Sequence, residues 1–201
     1  MSDSWIGKIV GNCRIDKKIG EGGCGSVYRG VDLMLERPVA VKVLHGGLAS
    51  RRDVAERFRT EAHTLARLSH PNVATLYSFH READTYLMVM EFVEGKTLDE
   101  LILEHGRLSP EQALPLFRQA LQGIHHAHLA GVIHRDLKGS NVMRSDSGLV
   151  KVMDFGIARA LWSPSLTQAD HPLGTPEYMS PEQVHAQEID ARADIYSLGA
   201  L

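Results

Sequence analysis

Four polar residues between positions 134 and 154 could do chemistry together: Asp136, Lys138, Asn141 and Asp154. Two carboxylates, an amide and an ammonium are the hard-oxygen and cationic groups that hold Mg²⁺ and a polyphosphate. A second set lies further towards the N-terminus. Gly20, Gly22, Gly23 and Gly25 cluster within six residues, and Lys42 follows on a stretch of alternating pattern. Glycines let a backbone approach a ligand closely, and a lysine on a strand face beside a small residue should meet something anionic.

The elements that must position these groups can be read from periodicity. Residues 13–19 and 37–43 alternate with period two around the glycines, which predicts a hairpin with a glycine-rich tip. In the second run Val39, Val41 and Val43 share one face, leaving Ala40 and Lys42 on the other. From residue 51 to 68 the period becomes helical, and Glu61 falls on the apolar stripe of Val54, Phe58, Leu65 and Leu68. A carboxylate there costs free energy unless paired. Two readings stand: an ion pair with Lys42, or a glutamate snorkelling at the stripe's edge.

His70-Pro71-Asn72 breaks the helix, and residues 73–79 and 85–92 read as two further strands. Beyond Gly95 the chain turns helical, with a short helix over 97–104. Ser109, Pro110 and Gln112 then supply an N-cap, an N1 proline and an N3 glutamine for a long helix to about Ala130. Pro115 predicts a kink in its first two turns. Residues 142–153 alternate about a turn at 145–148, so Asn141 and Asp154 sit at the ends of two strands.

Composition narrows the function. Hydrophobic residues make up 43% and charged residues 23% of 201, which fits a globular chain rather than a disordered, collagenous or coiled-coil one. The formal charge of −3 and the lack of a basic run give no footprint for nucleic acid or an anionic membrane. Two cysteines and no signal-peptide pattern point to the reducing cytoplasm, and no apolar run is long enough for a membrane span.

Taken in order, Gly20-Glu-Gly-Gly-Cys-Gly-Ser-Val27, Val39-Ala-Val-Lys42, Glu61, His134-Arg-Asp-Leu-Lys-Gly-Ser-Asn141, Asp154-Phe-Gly156, Gly174-Thr-Pro-Glu-Tyr-Met-Ser-Pro-Glu182 and Asp194-Ile-Tyr-Ser-Leu-Gly199 resemble a eukaryotic-type serine/threonine protein kinase of the bacterial branch. The resemblance runs from Cys13 to Leu201. It implies an α+β, bilobal fold: an N-terminal extension over 1–12, a small antiparallel-sheet lobe over 13–94, and a mainly helical lobe over 95–201. It also implies transfer of the ATP γ-phosphate to Ser/Thr hydroxyls of protein substrates, with Mg²⁺, or Mn²⁺ in its place.

The resemblance assigns roles residue by residue. Gly20, Glu21, Gly22, Gly23, Cys24 and Gly25 would fold over the phosphates. Val27 and Ala40 would wall the adenine slot, with Met143 as its floor and Met90 at its back. Glu91 and Val93 would offer backbone hydrogen bonds to adenine. Lys42, positioned by Glu61, would hold the α- and β-phosphates. Asp136 would orient the substrate hydroxyl, Lys138 neutralise the transferring phosphoryl, and Asn141 with Asp154 hold the metal. Thr175 would bond near Asp136. Arg135 is coupled in such proteins to phosphorylation of the segment after Asp154, where Thr167 is the favoured autophosphorylation site against the plainer reading of a solvated hydroxyl. His134 would stack in the core with Phe155, without an acid–base role.

Other features have plainer readings beside their functional ones. His125 and His128 share a helix face, which suits a metal pair, but no matching third ligand follows and solvated or hydrogen-bonded histidines fit better. Cys24 is either a redox site or a small tolerated side chain. Gly139 replaces the usual proline and should loosen the loop by under about 1 kcal/mol. The chain is expected to be truncated within the helix near Asp194, exposing an apolar seam at Ile195, Leu198 and Leu201 that could drive self-association. The alternative function is therefore a non-catalytic nucleotide-binding or interaction module.

Overall fold

A computed structural model describes residues 5–22, 25–44, 59, 62–82, 85–155 and 176–201. Gly23, Cys24, Glu61, Thr167 and Thr175 lie outside the described residues, and with them the Lys42–Glu61 pair and the Thr167 phosphorylation site. The chain divides into two compact units, Met1–Ala66 with Thr75–Phe92, and Arg67–Ala74 with Val93–Leu201. The division thus falls at Phe92/Val93 rather than 94/95, and a short segment before the fifth strand belongs to the second unit.

The first unit is a six-stranded antiparallel sheet of β1 (Ile9–Val10), β2 (Cys13–Gly22), β3 (Gly25–Asp32), β4 (Arg37–Leu44), β5 (Leu76–Glu82) and β6 (Thr85–Glu91), ordered β1-β2-β3-β4-β6-β5. The alternation of β4 decides its faces. Val39, Val41 and Val43 are buried in one apolar cluster with Ile15, Tyr28 and Leu87, against which Trp5 and Tyr77 pack. The β2–β3 pairing closes at Gly22↔Gly25, so the hairpin tip lies where the glycines predict it. A Cβ on Gly25 would press on the Val43 carbonyl carbon at 3.0 Å, which explains a glycine at the mouth of the tip. Register shifts between Ile15 and Lys17 and between Lys18 and Gly20 add local twist to β2.

The strand expected over 73–79 begins instead at Leu76, and Val73 makes only an isolated parallel bridge to Val152. The cause is Asn72, whose buried amide donates to Val150 O at 2.7 Å while its carbonyl accepts from Val152 N at 2.9 Å. Residues 72–74 are thereby committed to a strand of the second unit.

That unit holds a three-stranded sheet of β7 (Gly95–Thr97), β8 (Val142–Ser145) and β9 (Val150–Val152), with helices α1 (Leu98–His105), α2 (Pro110–Leu129), α3 (Pro181–Val184) and α4 (Ala191–Ala200). Thr97 caps α1 reciprocally: its Oγ1 accepts from Glu100 N at 3.2 Å, and Glu100 Oε2 accepts from Thr97 N at 2.7 Å. Gln112 Oε1 likewise accepts from Ser109 N at 3.0 Å at the start of α2. Pro115 does not interrupt α2, which continues to Leu129. The helix buries Ala120, Gly123, Ile124 and Ala127, a stripe of small residues with one large member.

Helix α4 starts three residues before Asp194, because Asp190 Oδ1 accepts from Arg192 N at 2.9 Å and sets the cap. The expected apolar seam is only partly present. Ile195 is 60% exposed, but Leu198 is 3% exposed, and Leu201 lines a cavity of about 380 Å³ with Leu98, Ile102 and Phe117. The buried stripe of α4 is Ala193, Asp194, Ser197 and Leu198. A carboxylate leads that stripe inward, and its partners explain why.

Candidate functional site

Asp194 is fully buried and gathers the polar loop around itself. Its Oδ2 accepts from the backbone N–H of His134 at 2.7 Å and from His128 Nε2 at 2.8 Å, and its Oδ1 from Arg135 N at 2.8 Å. Burial opposes ionisation of Asp194, but the His128 hydrogen bond, the nearby His134 ring and the two backbone donors outweigh it and hold the carboxyl below its usual pKa. A helix from the end of the described chain thus fixes the loop that follows α2. His128, one of the three histidines of α2, is a hydrogen-bonding residue here, and His126 stacks on His70 at 4.9 Å.

His134 is the loop's second anchor. Its Nδ1 accepts from Asp136 N at 3.2 Å, and its Nε2 lies 2.8 Å from Met153 O. The first bond requires a bare Nδ1, so the proton sits on Nε2 and the ring is neutral; the tautomer is assigned from this network. Full burial depresses its pKa, with nearby Asp194 opposing the shift. The ring packs on Phe155 at 4.6 Å, as the resemblance implies.

Asp136 is held between its neighbours. Asn141 Nδ2 donates to Asp136 O at 2.7 Å and reaches its Oδ2 at 3.3 Å, and Lys138 Nζ lies 3.5 Å from the same Oδ2. Because Asn141 spends its NH₂ on Asp136, its Oδ1 is left as the group it can offer a cation. Met153 N donates to Asn141 O at 2.8 Å, which ties the residue before Asp154 to Asn141. Arg135 and Asp154 both take positive φ, 66° and 51°, backbone conformations that L residues rarely adopt. This unit therefore brings together Asp136, Lys138, Asn141 and the strand end leading into Asp154.

Gly139 does more than loosen the loop. It is buried, and a Cβ there would overlap the Asp99 carboxylate, with Asp99 Cγ at 2.8 Å and Asp99 N at 3.3 Å. A side chain at 139 must displace an acidic side chain on the first turn of α1, so the sequence-based expectation of a purely entropic effect is corrected. Tyr178 joins this corner. Burial and then the Asp99 and Glu177 carboxylates raise its pKa, opposed by a hydrogen bond with the Gly139 backbone.

On the first unit, the sheet register arranges the other expected residues. Val27 pairs with Lys42 and Lys42 with Met88, while Ala40 pairs with Met90. Directly opposed residues of antiparallel strands project to the same face, so Val27, Ala40, Lys42, Met88 and Met90 share the face opposite the valine cluster. Gly20, Glu21 and Gly22 pair with Val27, Ser26 and Gly25. Glu91 spends its N–H on Thr75 O at 2.9 Å, so a backbone contact from Glu91 would use its carbonyl. In the second unit Val93 is buried and Met143 lies on β8 opposite Lys151.

A comparison with family models matches residues 13–201 to the protein kinase domain. The chain belongs to this family. The serine/threonine-protein kinase PrkC of Bacillus subtilis is 42% identical over 195 residues, covering 96% of this chain and 30% of PrkC. PknL of Mycobacterium tuberculosis, a serine/threonine-protein kinase, is 42% identical over 187 residues, 93% of this chain and 47% of PknL. The crystal structure of the M. tuberculosis PknI kinase domain superposes with a TM-score of 0.76 at 25% identity, covering 96% of this chain and 71% of that one. The chain therefore spans less than half the length of these curated relatives. The α+β architecture is that of the protein kinase fold. No described helix is long and apolar enough to cross a membrane.

Sequence reasoning did not assign Asp194, His128, Asp99 or Gln183 a part in the loop. The one available signal was an aspartate inside the apolar pattern of a helix.

Proposed function

We propose that the chain carries the catalytic centre of a serine/threonine protein kinase, moving the γ-phosphoryl group of ATP to Ser/Thr hydroxyls of proteins. The observation that carries this reading is the Asp136 carboxylate held by Asn141 and 3.5 Å from Lys138, within a loop that neutral His134 and buried Asp194 fix. Phosphoryl transfer asks the protein for position and charge rather than covalent chemistry, and this loop supplies both. Asp136 takes up or orients the proton of the acceptor hydroxyl, and Lys138 offsets charge on the transferring group.

The donor set fits a magnesium ion: an Asn141 oxygen oriented by its own NH₂ bonds and the Asp154 carboxylate, two protein oxygens for a cation that keeps several waters. Mg²⁺ would supply charge neutralisation at the phosphates, with Mn²⁺ as a substitute. Lys42 would hold the α- and β-phosphates, and the β2–β3 glycines would cover them. The partners are proteins with Ser/Thr acceptors, the chain itself included, and use of ATP places the work in the cytoplasm.

Incubation with γ-labelled ATP and Mg²⁺, alone and with a generic basic protein, tests the reading. Label on serine or threonine that disappears with Asp154→Asn supports it. No label in either chain leaves the non-catalytic nucleotide-binding module.

A further inference from the structure

Gln183, on α3 just after the Pro181–Glu182 pair, has its amide oriented by two contacts. Its Oε1 accepts from Ser180 N at 3.0 Å, and its Nε2 donates to Arg135 O at 2.8 Å. That carbonyl belongs to the peptide bond linking Arg135 to Asp136, and the N–H of the same peptide donates to His134 Nδ1 at 3.2 Å. The peptide plane immediately before Asp136 is therefore gripped at both ends by side chains. The preceding peptide's N–H is taken by Asp194 Oδ1, and the following carbonyl by Asn141 Nδ2. Arg135 between them sits at φ 66°. A left-handed, non-glycine residue persists only where its surroundings over-determine it. Of the groups that do so, Gln183 alone comes from α3, and it fixes the carbonyl that a rotation of this peptide would swing away.

We propose that Gln183 is a positioning residue for Asp136, clamping the Arg135–Asp136 peptide so that the carboxylate keeps its aim. The proposal rests on the reading of Asp136 as the group that addresses the acceptor hydroxyl. Gln183 touches no reacting atom. Its effect should appear in the rate of the chemical step rather than in nucleotide affinity, because displacing a catalytic group by an ångström costs up to about a hundredfold.

Gln183→Glu separates the two contacts. The carboxylate keeps an acceptor for Ser180 N–H but loses the donor to Arg135 O. Gln183→Met loses both at similar length. At pH 8 the glutamate variant should transfer phosphate about tenfold or more slowly than wild type, with the KM for ATP within about twofold. Amide hydrogen exchange at Asp136, read by NMR, should be faster in both variants at pH 8, with thermal midpoints reported alongside as a folding control. Unchanged Asp136 exchange with an unchanged rate in Gln183→Glu overturns the proposal. Faster exchange in a chain whose wild type transfers no phosphate upholds the clamp and removes the kinase reading, so the two failures are distinguishable.

Discussion

Replacing Asp194 by asparagine should destabilise the second unit by about 3 kcal/mol. The carboxylate receives three donors, two on Oδ2 and one on Oδ1, with no exposure to water. Asparagine offers one oxygen and one NH₂. In its better orientation the oxygen keeps His134 N and His128, and the NH₂ is turned against the Arg135 N–H. One buried donor is then unpaired, at about 1–3 kcal/mol, and the two surviving bonds lose their charge assistance. Circular dichroism at 222 nm follows chiefly this unit, which contains α1 to α4, with a smaller part from the helical residues 62–65 of the first. With a urea slope of about 2–3 kcal/mol/M, the midpoint should fall by about 1–1.5 M at pH 7. The pH dependence has a definite sign. The folded pKa of Asp194 lies below its ordinary value of 3.8, so its contribution is complete above that value and is lost as pH falls through the folded pKa. The gap between wild type and variant should therefore hold from pH 8 to about 4 and close below it. A midpoint shift under about 0.3 M at pH 7 would refute the role given to Asp194 as organiser of the loop.

Two further outcomes follow from the same loop. His134 is buried and neutral with its pKa below 6.5, so the unfolded chain takes up its proton first; stability should decline as pH falls below about 6.5, and less steeply in His134→Phe, which an unchanged slope would contradict. Gly139→Ala should cost about 1 kcal/mol or less, because the Asp99 carboxylate it meets ends an exposed side chain that can turn away, and combined with Asp99→Gly the two losses should fall short of additive, whereas strict additivity would show that the pair is not in contact.

Much of the frame was legible because it rests on local rules. The valines of β4 alternate, so their burial and the opposite placement of Ala40 and Lys42 follow from strand period. The Ser109/Gln112 start of α2 is written in four residues. The order of Asp136, Lys138, Asn141 and Asp154 is also local, and it carried the resemblance that family membership bears out. What sequence did not show are pairings between distant residues. Asp194 meets His134 across 60 positions, and Gln183 meets Arg135 across 48. Neither partner announces the other, because a buried carboxylate or amide looks the same on a one-dimensional pattern whichever backbone group it serves. Leu76 as the start of β5 was missed for a related reason: residues 73–75 read as the beginning of that strand, but the amide of the preceding Asn72 and the bonds of 72 and 74 to Val152 tie this stretch to β9. The expected exposure of Leu198 failed likewise, since Asp194 sets which side of α4 turns inward.

In the function proposed above, the loop from His134 to Asn141 is assembled for phosphoryl transfer, with Asp136 at its centre. Single-turnover transfer from labelled ATP–Mg²⁺, compared between wild type and Asp136→Asn, tests it most directly. Asparagine leaves the backbone bonds of residue 136 to His134 and Asn141 available and removes the charge. Wild type should transfer phosphate to Ser/Thr and the variant should lose about a hundredfold or more, with ATP binding retained. Equal transfer in the two chains would contradict it.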